Sequence, residues 1–221
     1  MLTRNFQQLQ HEVAYHVEAD RVAQGSYSTC FIGCLAHGED NPDYIEAQYG
    51  IPLVVTRIAE SIFEGLPEDE AIGFFAALPS AVGFDGKDLS RVGWQFLASE
   101  LRSLPPVLSE IQAVIDPVIA GMDLLAAGKE WSKKEAAHAA CEDAWAACDN
   151  ACDDACDDAW AARAAREAAR AACENACEDA RAARHPALAA WAVRVACEDD
   201  SARRRQRDLL LKLIKEAPKQ N

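Results

Sequence analysis

Apolar residues recur at helical spacing through most of the chain, and nowhere do they alternate over the length of a strand. Phe6, Leu9, Val13 and Val17 stand three and four residues apart, on one face of a helix predicted from Asn5 to Asp20 before Gly25 and Ser26 break the pattern. The apolar segment from Thr29 to His37 predicts a short second helix ended by Gly38. Asn41 followed by Pro42 offers a cap, with proline at the first helical position, for a third. A fourth is predicted from Ile51 to Leu66, with Val54, Val55, Ile58, Ile62 and Phe63 on its apolar face. Pro67-Glu-Asp-Glu70 supplies the acidic first turn that suits the positive end of a helix dipole, and that helix carries Ile72, Phe74, Phe75 and Leu78 up to Pro79. The turn Gly83-Phe-Asp-Gly86 leads to Asp88 as the predicted cap of a helix through Leu101, and Pro105-Pro106 opens another that ends near Gly128. Residues 1–128 thus read as an orthogonal helical bundle, and the fold class as all-α.

The texture changes after this head. Ser132-Lys-Lys-Glu135 fits a capping box, and no glycine or proline follows until Pro186, so residues 129–185 are predicted to hold a long alanine-rich acidic helix or a helical hairpin. Unbroken to Arg184, that helix would extend roughly 80 Å. Its wheel places Cys141, Cys148, Cys152, Cys156, Cys173 and Cys177 in one stripe flanked by alanines, a smooth face suited to close helix contact and self-association. Arg163, Arg166 and Arg170 interrupt the stripe, and one long helix that changes neighbours is preferred over a hairpin because no glycine or proline marks a turn. Residues 186–221 are expected to form C-terminal helices packing back. There the basic Ser201-Ala-Arg-Arg-Arg-Gln-Arg207 precedes Leu209, Leu210, Leu211, Leu213 and Ile214, which are expected to cap the core.

Charge narrows the function classes. The net charge is −14 and the isoelectric point about 4.7, which argues against direct binding to nucleic acid or to an anionic membrane and favours a protein partner with a basic surface. Residues 141–180 hold eleven Asp or Glu against three Arg, a net of −8. Along a helix this is one net charge per roughly 7.5 Å, too dilute for one helix to imitate duplex DNA at about 1.7 Å per charge. The candidate docking residues are Glu142, Asp143, Asp149, Asp153, Asp154, Asp157, Asp158, Glu174 and Glu178; an ordinary solvated helix face is the competing reading. The chain start lacks the apolar core of a signal peptide and no stretch reaches membrane-spanning length, so a cytoplasmic protein is expected. Its nine cysteines are then read as reduced thiols, since the count is odd and the chain is not small, and the seven from Cys141 to Cys197 stand in alanine-like positions as small apolar fillers.

Candidate chemistry is sparse. On a helix Cys30, Cys34 and His37 would share one face and offer two thiols and an imidazole to zinc, with His11 or His16 as a fourth ligand; packed core thiols are the competing reading. Cys148 with Cys152 and Cys173 with Cys177 would join in a four-thiolate site only in a hairpin. A thiol enzyme would start from Cys30 or Cys34 with His37 as base, and a carboxylate one from Glu39 and Asp40. No glycine-rich phosphate loop, nucleophile elbow or zinc-protease helix accompanies them, so the expectation is a protein without enzymatic activity and with no required cofactor, zinc being the one candidate.

The segments Cys30-Phe-Ile-Gly-Cys-Leu-Ala-His37, Tyr49-Gly-Ile-Pro52, Ile62-Phe-Glu-Gly-Leu66 and Phe75-Ala-Ala-Leu-Pro79 resemble an uncharacterised group of bacterial and phage proteins in which a similar head precedes an acidic alanine-repeat tail. By composition the tail also resembles the alanine-rich helices of immunity-like proteins. The resemblance carries no established activity. It implies a phage- or mobile-element-encoded inhibitor that occupies a surface of a host defence complex; an immunity-like or scaffold role and a thiol or zinc enzyme are the alternatives. A homodimer is the expected assembly, from the small-residue face of the tail helix.

Overall fold

All of the regular structure is helical in the computed structural model, which describes residues 1–104, 106, 109–129 and 200–220. Among these residues lie α1 (Phe6–Glu18), α2 (Phe31–Leu35), α3 (Pro42–Tyr49), α4 (Leu53–Gly65), α5 (Glu68–Val82), α6 (Val92–Arg102), α7 (Ser109–Ala126) and α8 (Asp200–Glu216), with two isolated antiparallel bridges, Leu2 to Asp88 and Lys87 to Lys219. The fold is all-α. The helix predicted from Ser132 to Arg184 lies outside the described residues.

The chain divides into two units. One comprises residues 1–93 and 199–221, and the other residues 94–198. In the first, α5 packs against α1, α4 and α8, while α4 also contacts α2, α3 and α8. Phe31 of α2 is stacked on Phe74 at 5.9 Å, meets Phe75 edge-on at 5.6 Å and tilts against Phe63 at 6.2 Å. This aromatic cluster fixes α2 onto α4 and α5. From α8, Ala202, Gln206, Leu210 and Ile214 supply a buried stripe at helical spacing, and the exposed side carries Arg204 and Arg205. Arg204 and Arg207 converge on Glu70 in the first turn of α5, at 2.6 and 2.8 Å. In the second unit, Arg102 of α6 pairs with Asp123 of α7.

The first and last described segments meet on the turn after α5. Thr3 donates its backbone N–H to the Lys87 carbonyl at 2.9 Å, Asp88 donates to the Pro218 carbonyl at 2.8 Å, and Gln220 donates to Gly86 at 3.1 Å. Lys87 is 3% exposed, and its ammonium donates to the Ala81 carbonyl at 2.9 Å and the Lys215 carbonyl at 3.1 Å. One cation thereby serves carbonyls in the last turns of both α5 and α8, where the helix dipoles are negative.

Two boundaries differ from the sequence expectation. α5 does not stop before Pro79 but runs through it to Val82, because Pro79, Ala81 and Val82 are all buried and the helix gives up one internal hydrogen bond to bury them. Asp88 does not cap α6, which begins at Val92. Its carboxylate instead accepts the Ser90 N–H at 3.0 Å, the Met1 ammonium at 3.1 Å and the Gln220 amide at 2.6 Å.

Candidate functional site

Among the described residues, a group of side chains able to hold a metal ion lies where α2 meets α4. Cys30 ends the loop before α2 and is its N-cap, with the thiol sulfur accepting the Gly33 N–H at 3.4 Å. Glycine is required at 33, since a Cβ there would collide with the Tyr27 carbonyl and the Ser28 backbone. Glu60 and Glu64 stand one turn apart on α4 and therefore share a face. Glu60 accepts the Ile32 N–H in the first turn of α2 at 2.9 Å, and Glu64 accepts the Gly25 N–H at 2.9 Å. Gln24 fastens the same loop to the end of α4 by donating to the Phe63 carbonyl at 2.5 Å and the Leu66 carbonyl at 2.8 Å. The Cys30 sulfur and one carboxylate oxygen from each glutamate all lie within 4.8 Å of one another.

Burial dominates the electrostatics here. It pushes the Cys30 and Cys34 thiols up to about 12, with the nearby Glu60 carboxylate adding to the shift in both. Neither is a ready nucleophile at neutral pH. Burial also raises Glu60 to about 7, against the lowering effect of its hydrogen bonds with Cys30 and Ile32. Cys34 donates to the Thr29 carbonyl at 3.2 Å and serves as packed core.

The set Cys30, Cys34 and His37 does not come together on one helix. α2 ends at Leu35, His37 lies beyond it in the left-handed region at φ 57°, and its Nε2 meets the Tyr44 hydroxyl at 3.0 Å. Of the three, Cys30 alone joins the ligand-capable group, with Glu60 and Glu64 in place of the other two. Asp40 forms an ion pair with Arg57 at 2.9 Å. His16 keeps a buried Nδ1 without a partner, and burial, ahead of its neighbouring charges, lowers its pKa.

Glu60 and Glu64 carried a weak signal in the sequence. The glutamate at 60 stands between Ala59 and Ser61, both buried, so it lies beside the buried face of the helix and not opposite it. The acidic candidates Glu142, Asp143, Asp149, Asp153, Asp154, Asp157, Asp158, Glu174 and Glu178 lie outside the described residues, as do the tail cysteines from Cys141 to Cys197. No described helix is long and apolar enough to cross a membrane. No family model, curated protein or solved structure matches the chain, so function rests on the chemistry of its own residues.

Proposed function

We propose that this chain is a non-enzymatic acidic protein that binds a protein partner stoichiometrically by occupying a basic surface, in the manner of a phage- or mobile-element-encoded inhibitor of a host defence complex. The observation that carries this reading is the charge distribution. Residues 1–129 hold eighteen Asp or Glu against seven Lys or Arg, and residues 130–199 hold fifteen against eight, so both parts are acidic. Only residues 200–221 are basic, with seven Lys or Arg against three acids, and α8 is packed onto α4 and α5. Such a surface attracts a basic partner and repels nucleic acid phosphates. The burial of both head thiols supports binding over thiol catalysis.

Affinity capture at graded salt, with the mass of the chain measured in solution, tests the reading. The expected outcome is a defined complex that weakens steeply as salt rises, because exposed charge pairs are screened beyond about 8 Å at physiological ionic strength. Neutralising Glu142, Asp143, Asp149, Asp153, Asp154, Asp157, Asp158, Glu174 and Glu178 together is expected to abolish capture. The free chain is expected at twice its 24.0 kDa mass, as a homodimer. Capture indifferent to both salt and neutralisation, or turnover of a small molecule by the purified chain, overturns the proposal.

A further inference from the structure

The docking reading leaves the cluster between α2 and α4 without a role. We propose that Cys30, Glu60 and Glu64 bind a single zinc-like divalent cation through one thiolate and two carboxylates, leaving a fourth position open to water.

Geometry comes first. Donor atoms around a tetrahedral zinc, with bonds of about 2.0 to 2.3 Å, stand roughly 3.5 Å apart. Three donors already within 4.8 Å therefore need to close by little more than about 1 Å. Each is held by a backbone N–H: Gly33 on the Cys30 sulfur, Ile32 on Glu60 and Gly25 on Glu64. Hydrogen bonds of this kind orient ligands before a metal arrives.

Charge supplies an independent argument. Carboxylates one helical turn apart repel each other. No Lys or Arg among the described residues forms an ion pair with Glu60 or Glu64. Arg57, whose guanidinium acts on Glu60, is engaged by Asp40. A dication would supply the missing positive charge where Glu60 is half-buried.

The donor set selects the ion, and its exposure gives the ion a path. One thiolate with two carboxylates suits a borderline cation such as zinc or cobalt better than magnesium or calcium, which take oxygen ligands. Cys30 is buried, Glu60 half-buried and Glu64 exposed, so the cluster opens to solvent at Glu64. As the metal–sulfur bond forms, the thiol proton, donated to the Tyr27 carbonyl at 3.8 Å, leaves to solvent.

The test is a Co2+ titration of the full chain, stripped with chelator, kept reduced and freed of chelator, with thiolate-to-cobalt charge-transfer absorption as the readout. One equivalent is expected to produce that absorption, and Zn2+ is expected to displace it. The chain has seven further cysteines beyond Cys30 and Cys34, so variants must place the signal. Cys30→Ser is expected to remove that equivalent, and Cys34→Ala to retain it. Glu64→Gln, at an exposed position, is expected to weaken it at least about tenfold, the lower end of what loss of even a supporting group costs a metal site. No thiolate absorption in the wild-type chain, or an unchanged titration in Glu64→Gln, overturns the site. Should Cys30→Ser fail to fold, the Glu64→Gln titration decides alone.

Discussion

Single residues in the head do work that their neighbours in sequence do not announce. Asp88 is held down to about 2 from an ordinary value of 3.8: burial opposes this, but hydrogen bonds from the Ser90 side chain and backbone and the Met1 ammonium outweigh it. A depressed carboxylate stabilises the fold fully above its unfolded pKa and loses that contribution as pH falls through the folded one. Thermal melts are therefore expected to lose stability between pH 4 and 2 in the wild type, and Asp88→Asn is expected to melt lower at neutral pH with a flatter profile over that window. Cys30 and Cys34 yield a second expectation. A short alkylation pulse at neutral pH, mapped by peptide mass, is expected to leave both unmodified in the native chain and to label both after denaturation. That the two are packed thiols follows from their apolar neighbours in the sequence. That Glu60 and Glu64 approach Cys30 does not, because periodicity reports which residues share a face of one helix and not which faces meet across thirty residues of chain.

At the scale of helices, the apolar spacing and caps locate the elements well, while their ends follow the core. Asn41 and Pro42 start α3 as the local chemistry requires, with the asparagine side chain accepting the Tyr44 N–H at 3.1 Å. Pro79 misleads because burial of Ala81 and Val82 overrides a local helix-breaking preference. Two glycines separate packing from propensity. Gly33→Ala is expected to destabilise the head by about 1 to 3 kcal/mol, since its Cβ has no room against Tyr27 and Ser28. Gly73→Ala, within α5 and with open space where a Cβ would stand, is expected to stabilise by roughly 0.5 to 1 kcal/mol. Chemical denaturation of the two variants checks both signs.

For the whole molecule, the all-α class is legible from the chain alone, since no alternating run competes with the helical period. Which helix neighbours which is not. α8 is separated from α4 and α5 by more than a hundred residues, yet it covers both and its last turn accepts the Lys87 ammonium. Ending the chain after residue 199 is expected to abolish cooperative unfolding of the first unit, since α4 and α5 lose the cover of Leu210 and Ile214 and Lys87 loses an acceptor. Calorimetry checks this: a sharp transition in the shortened chain at the wild-type temperature would contradict it. Because the first unit is closed by α8, residues 94–198 are in effect a long insertion into it. On a ribosome adding about 5 to 20 residues per second, the apolar faces of α4 and α5 stay uncovered for about 5 to 20 seconds while that insertion is synthesised. The interval in which a nascent head is vulnerable to aggregation is thus set by the length of its insertion and not by its own folding rate.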